Sequence, residues 1–383
     1  MTDADFAPTS LKETEEAVRA ALAEETPLCV EGLGTKTALG RPVEAERTLS
    51  LAAMNRITLY EPEELVLSAE PGVPLTDIEA LLAENGQMLA FEPPDFSALL
   101  GGAHAGSLGG AIAAGLSGPR RFHAGAARDF VLGVEGVSGR GEAFKSGGRV
   151  VKNVTGYDLS KLMTGSFGGL AALTEITLKV APKPQTEASL AALDLPLEAA
   201  AKALRRAAAS PFVPTGLSLA STAPHRADAI FRLEGSERSV GYRADALQTL
   251  LRDLNTVLWD EAASKAHWRK VRDVSAFFPD PPRPLWKLVV APSDCAHTID
   301  ANASERFLAD WAGGLIWLEG RDDGVPPKAP GGGAYLIRGS ADLRSQTDVF
   351  PAQAGALRTL TARVKKGFDP LGLLNPGRMY AGL

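Results

Sequence analysis

The sequence predicts an α+β chain of two domains, and three observations carry that reading. Glycine clusters at four separated places in the first half of the chain, residues 30–36, 106–118, 147–158 and 165–174. Short apolar runs of strand character alternate there with short amphipathic runs. At 179–185 (KVAPKPQ) two prolines interrupt the pattern, and beyond them the glycine clusters stop and longer helical periods begin. These features set a first domain over 1–184 and a second from 185 onward.

The elements follow in order. Residues 11–24 read as a helix, with Ser10 at its N-cap and Glu13 at capping-box spacing. A strand over 28–31 runs into Gly32, and strands over 56–60 and 65–70 flank Glu61-Pro62. Residues 74–84 form a helix with Pro at its first position, ended by Asn85-Gly86. A strand over 130–137 has a return partner at 142–145, a short helix covers 157–163, and 173–180 alternates as a strand does. In the second half, helices are expected at 197–209 and 238–254, and strands at 230–234, 286–290, 315–319 and 335–338. Residues 322–333 form an exposed loop, 359–366 a last helix, and 368–380 an ordered irregular tail.

Composition narrows the function. The 383 residues carry 40 basic and 46 acidic side chains, a net charge of −6 with no basic run, which argues against nucleic acid as a partner. The N-terminus is acidic and lacks the apolar stretch of a signal peptide, and no window reaches the ~20 apolar residues of a membrane span. A cytoplasmic protein is expected, touching a membrane only peripherally through partners. Cys29 and Cys295 are read as two buried thiols, too few to hold an iron–sulfur cluster. Electrons leaving through iron would need another chain. His104, His123, His225, His267 and His297 are scattered without ligand spacing, so no metal site is expected.

The glycine segments carry the chemistry. In VEGLGTK (30–36) a strand meets a tight turn in which Gly32 and Gly34 can take positive φ, so that successive N–H groups form an anion nest. Leu33 lies between them, Thr35 adds a hydroxyl and Lys36 a charge, a set suited to a pyrophosphate. The segment is neither a Walker A loop nor a GxGxxG fingerprint, and a plain surface turn is the competing reading. In GSLGGAIAAGLSG (106–118), Ser107 caps a turn, while Gly109 and Gly110 allow close contact with a ring system. A small-residue helix packed on a sheet explains the same run, and both readings hold together. Four such places suit one large cofactor.

The run from SLGGAIAAGLSGPRR through GGRVVKNVTGYDLSKLMTGSFGGLAALTEITLKVAPKP resembles the FAD-binding domain of the vanillyl-alcohol-oxidase/PCMH superfamily. More closely it resembles the FAD-binding subunit of glycolate oxidase, part of a three-subunit complex. The resemblance extends over about 32–184 and resumes at 368–379 with NPGRM, while WRKVRD (268–273) and PLWKLVVAP (284–292) are similar to segments of that subunit. It implies a PCMH-type domain of two α+β subdomains over 1–184, an α+β cap over 185–350, and a segment 351–383 that packs back on the FAD domain.

The resemblance also implies where FAD lies. Gly32, Leu33, Gly34, Thr35 and Lys36 would bind the pyrophosphate. Ser107, Gly109, Gly110 and Ala113 would line the path, with Gly115 and the stretch to Arg121 beside it. Ser166, Gly168, Gly169 and Leu173 would approach the adenine, and Asn375 would close over the flavin. Lys152, Asn153 and Tyr157 belong to the shared motif without assigned roles, and Asp158 fits a structural cap. No His occupies 32–35 and no Cys lies near 115–129, so noncovalent FAD is implied. The HxGDGNxH-like metal motif of the family's larger subunit is missing.

Oxidation of a small 2-hydroxy acid needs a cation for the carboxylate and a base for the hydroxyl proton. Among His267, Arg269, Arg272, Arg283, Lys287 and Arg338, no spacing singles out a pair; His267 and Arg272 are taken as the catalytic candidates. Two functions stay open. In one the chain contributes directly to glycolate or D-lactate oxidation, passing electrons to an iron–sulfur subunit. In the other it is a flavin-carrying relay or assembly subunit whose sister flavoprotein oxidises the substrate.

Overall fold

The computed structural model describes residues 4–102, 104–148, 157–278, 283–304, 306–321 and 323–383. The chain forms two compact units, one of Met1–Leu116, Ala126–Pro182 and Ala352–Leu383, the other of Ser117–Gly125 and Lys183–Pro351. The short excursion 117–125, expected with the first domain, therefore goes with the second. Its tie is specific: the Trp311 indole N–H donates to the Gly118 carbonyl at 3.0 Å.

The first unit is built on a five-stranded antiparallel sheet in the order Ile57–Glu61, Val66–Ala69, Ala171–Lys179, Val131–Ser138, Ala143–Gly147. The central strand Ala171–Lys179 is buried along nearly its whole length, as its alternation of small and branched residues permits. Gly136 lets its neighbour close in, since a Cβ there would stand 2.6 Å from the Ala172 carbonyl oxygen.

Beside this sheet, Leu28–Glu31 pairs in parallel with Arg47–Ser50, and Leu374 adds a parallel bridge to Leu28. Helix Leu11–Ala23 covers the pair, burying Ala17, Val18 and Ala21 against Leu28, Leu49, Met54, Val137 and Leu374. Full burial of each leucine contributes about 2 kcal/mol. Ser10 caps the helix by accepting from Glu13 N at 3.3 Å, while the Glu13 carboxylate accepts from Thr9 N at 2.7 Å, one residue earlier than a strict capping box. Helix Leu75–Glu84 takes Pro74 as N-cap instead of as its first residue.

The second unit is an eight-stranded sheet in the order Thr256–Trp259, Thr186–Pro196, Arg226–Gly235, Gly216–Ala223, Phe307–Asp310, Leu315–Glu319, Leu285–Val289, Gly333–Arg338. Its pairings are all antiparallel. One face is apolar. Leu190, Leu219, Phe231, Trp286, Leu288 and Ile316 meet helices Leu197–Ala208, Glu237–Leu250 and Cys295–Ala301 there. The period of two sends the alternate residues Ser189, Ser218, Arg232 and Lys287 to the opposite face. Helix Glu261–Arg272 lies over part of that face, the Trp268 indole N–H donating to Ser189 Oγ at 2.9 Å.

Candidate cofactor cleft

The first unit holds a cleft that is partly open to solvent, with room inside it of about 100 Å³. Gly32, Leu33, Gly34, Thr35, Lys36, Ser107, Gly109, Gly110, Ala113, Ser166, Gly168, Leu173 and Asn375 all line it. Four distant stretches thus meet there. Gly115 and Gly169 do not line it. Gly115 (φ +63°) packs against Gly165, and the Gly169 carbonyl accepts from Lys365 Nζ at 2.7 Å.

The loop after strand Leu28–Glu31 turns through Gly34 at φ +70°, a conformation costly for any residue with a Cβ. Opposite it, Ser107 caps helix Leu108–Ala113, accepting from Gly110 N at 3.3 Å. The two are in close contact: a Cβ on Gly32 would come within 2.6 Å of Ser107 Oγ. The helix start is pinned to the 71–75 turn by Gly109 N to Pro71 O, 2.9 Å, Leu108 N to Val73 O, 2.9 Å, and Leu75 N to Gly106 O, 3.0 Å. Gly109 sits so close to Pro71 that a Cβ would meet its ring at 2.5 Å, whereas a Cβ on Gly110 would have ordinary contacts with Lys36 Cδ at 3.6 Å.

Lys36 is the electrostatic centre. Among the described residues its Nζ has no carboxylate partner, only Thr35 Oγ1 at 3.4 Å. Burial holds the ammonium below its ordinary pKa, with the Asp95 charge partly opposing. A half-buried cation bonded to no carboxylate among the described residues, in a cradle of small residues, fits a diphosphate and the flat rings attached to it. The same lining admits Cys29 and Glu31, which the sequence did not single out. Cys29 is half-buried and not fully enclosed as expected; burial and the Glu31 charge push its thiol up, and burial pushes the Glu31 carboxyl up. Cys295, by contrast, is fully buried, its thiol pushed up to about 12.

Asn375 ties distant segments of the chain together at the cleft. Its Oδ1 accepts from Val30 N at 2.8 Å, and its Nδ2 donates to Phe167 O at 2.7 Å and Val30 O at 3.2 Å. The side chain is spent on joining the first strand, the 165–169 turn and the tail. Phe167 adopts φ +54° in that turn, and Arg378 Nη2 donates to Lys36 O at 2.7 Å; both line the cleft and neither was singled out in the sequence. The Asp369 carboxylate fixes the tail by accepting from Leu373 N at 2.9 Å, Leu374 N at 2.8 Å and Lys365 Nζ at 2.7 Å.

The catalytic candidates sit in the second unit in packed or paired settings. His267 pairs with Ser218 through Nε2 at 3.1 Å and meets the Trp259 and Trp268 rings edge-on at 5.4 and 5.2 Å. Burial, with Arg232 and Lys270 adding repulsion, lowers its pKa to about 4, so it is neutral at neutral pH. Arg272 lays its fork on Asp273, at 2.7 and 3.0 Å. Arg338 donates to the Arg283 carbonyl at 2.8 Å and to the Phe277 carbonyl. Asp158 caps helix Leu159–Met163 by accepting from Lys161 N at 3.2 Å, and Tyr157 is exposed. Lys152 and Asn153 lie outside the described residues. Among the described residues no cluster of His, Cys, Asp and Glu could hold a metal ion, and no helix is long and apolar enough to cross a membrane.

Comparison with known proteins decides the family. A chain-long relative is the glycolate oxidase subunit GlcE of Escherichia coli, 36% identical over 96% of this chain and 97% of its own length. The chain belongs to the GlcE family of glycolate oxidase subunits. Residues 2–147 match the model of an FAD binding domain, and FAD is the cofactor of this family member. The glycolate oxidase subunit GlcD of Bacillus subtilis is 33% identical over 57% of this chain and 45% of its own length. A D-lactate dehydrogenase of Anaerostipes hadrus is 37% identical over 37% of this chain and 28% of its own. The fold is that of p-cresol methylhydroxylase, with a TM-score of 0.71 at 16% identity, covering 98% of this chain and 88% of that one. The chain is thus a flavoprotein of the oxidoreductase class with PCMH-type architecture.

Proposed function

We propose that this chain is the FAD-holding subunit of a multi-subunit glycolate oxidase that converts glycolate, or D-lactate, to the 2-oxo acid. FAD is held noncovalently, and electrons pass on to an iron–sulfur subunit beside a sister flavoprotein. The observation that carries the reading is the cleft in which Lys36, among the described residues, has no ion-pair partner, joined to chain-long likeness to GlcE. When bound, FAD supplies the acceptor for a hydride from C2 of the hydroxy acid. The chain's own residues do the holding. Lys36 and the N–H groups of the 32–36 loop would hold the diphosphate, Ser107, Gly109, Gly110 and Ala113 would leave room for the rings, and Asn375 ties the first strand to the 165–169 turn.

A second reading has an observation in its favour. His267 and Arg272, the candidate base and carboxylate holder, are engaged with Ser218 and Asp273. A chain so arranged suits a relay or assembly role, with substrate oxidised on the sister flavoprotein. Anaerobic mixing of the purified, FAD-loaded chain with glycolate separates the two. Loss of the visible flavin absorbance with this chain alone supports direct oxidation. Loss only after the sister subunits are added supports the relay. No loss in either mixture refutes the glycolate assignment.

A further inference from the structure

The polar face of the eight-stranded sheet in the second unit carries one cation in an unusual position. Lys287 stands mid-strand, directly opposite Trp317 on one neighbouring strand and Tyr335 on the other. Its strand neighbours Trp286 and Leu288 point into the apolar core, so Lys287 cannot turn that way. Elsewhere on this face Arg120 and Arg232 have an acid, the Glu234 carboxylate that they share. Lys287, among the described residues, has no carboxylate or hydrogen-bond acceptor. Its Nζ lies 5.4 Å from the Tyr335 ring centre and 5.7 Å from that of Trp311.

Trp311 meets a second cation. The Arg121 guanidinium lies 4.4 Å over the same ring, and the indole N–H is tied to Gly118 O. Trp311 and Ala312 both take positive φ, +53° and +59°, a strained pair that persists only where surroundings impose it. Two positive groups therefore approach one indole ring. Cation–π contact offsets only part of the cost of a half-buried ammonium. Burial, with repulsion from Arg121, lowers the Lys287 pKa to about 8.

We propose that Lys287, with Arg121 beside it and Trp311 and Tyr335 as apolar walls, is a binding site for a small monocarboxylate, the carboxylate taking the place of the missing counterion. One negative charge on a short carbon skeleton matches one ammonium supported by a neighbouring guanidinium and bounded by rings. That the occupant is a 2-hydroxy acid such as glycolate rests on the function proposed above.

The test uses the purified full chain and sodium glycolate at constant ionic strength, read by tryptophan fluorescence because Trp311 forms a wall of the site. Wild type is expected to show a saturable change. Lys287→Met is expected to raise the half-saturating concentration roughly tenfold or more, and Lys287→Arg to stay within about threefold of wild type. Lys287→Met should not lower the melting temperature, since it removes a charge without a partner acid. A purely structural cation–π role predicts the reverse, a lower melting temperature and unchanged binding, and would overturn the proposal. So would the absence of a saturable change in wild type. The two proposals fail separately. If glycolate bleaches the flavin of the assembled complex with the same half-saturation in Lys287→Met, this site is refuted and the glycolate function stands. If glycolate binds through Lys287 but never bleaches the flavin, the site stands and the function is refuted.

Discussion

Two adjacent glycines make opposite predictions. Gly109 and Gly110 both line the cleft, yet a Cβ on Gly109 would stand 2.5 Å from Pro71 Cβ and 2.9 Å from its carbonyl oxygen. Carbon contacts normally relax at about 3.5–4.0 Å, so one wall would have to move by about 1 Å. That wall is pinned by the hydrogen bonds of Gly109 N and Leu108 N to Pro71 and Val73. Overpacking of this kind costs about 1–3 kcal/mol. On Gly110 a Cβ has its nearest neighbour at 3.5 Å, and the residue is helical, so alanine gains about 0.5–1 kcal/mol. At about 2–4 °C per kcal/mol for a unit of this size, apo Gly109→Ala should melt several degrees lower, and apo Gly110→Ala a degree or more higher. Gly110→Leu should keep the fold and lose the flavin, because its side chain extends from beside Lys36 into the cleft. Differential scanning calorimetry of the apo chains and the flavin absorbance of chains refolded with excess FAD measure both effects. Full flavin content in Gly110→Leu would refute the placement of the cofactor.

Other outcomes follow from the same geometry. Lys36→Met removes a cation that bonds no carboxylate among the described residues. FAD affinity should fall by roughly tenfold or more, as for loss of a charge-assisted hydrogen bond, with apo stability unchanged or raised, checked by fluorescence titration of FAD. Asn375→Asp replaces a donor by an acceptor facing the Val30 and Phe167 carbonyls. It should destabilise the first unit by about 2 kcal/mol or more and weaken FAD binding, measured by urea unfolding with and without FAD. His267 has a folded pKa of about 4 against an ordinary 6.5. Between those values the unfolded chain binds the proton and the native chain does not. Stability should therefore rise with pH across that window, by up to about 3 kcal/mol. His267→Gln should flatten the rise and leave the pH profile of oxidation unchanged above pH ~5.

The cleft was legible because its signals are local. A strand running into Gly32-Leu33-Gly34, or Ser107 before a small-residue helix, announces its own backbone geometry wherever it lands. Roles made by distant contacts were not. Asn375 bonds Val30 across 345 positions, and Arg378 reaches the Lys36 carbonyl across 342, and nothing in NPGRM states the target. Strands Thr186–Pro196, Gly216–Ala223 and Phe307–Asp310 escaped notice because alanine, serine and aspartate dilute their alternation; pairing and burial, not propensity, make them strands. His267 and Arg272 were chosen for their chemical type, and only coordinates show that Ser218 and Asp273 already occupy them.

The seam between Leu28 and the tail has a consequence for biosynthesis. Leu28 N donates to the Leu373 carbonyl at 2.7 Å, and Asn375 N to that of Leu28 at 2.9 Å, so the wall of the cleft needs residues translated long after the glycine loops it supports. A ribosome making this chain emits the whole second unit before the cofactor's seat can be finished. Loading with FAD is then a late event, and a nascent chain stalled before residue 373 would be flavin-free however well its first half had folded.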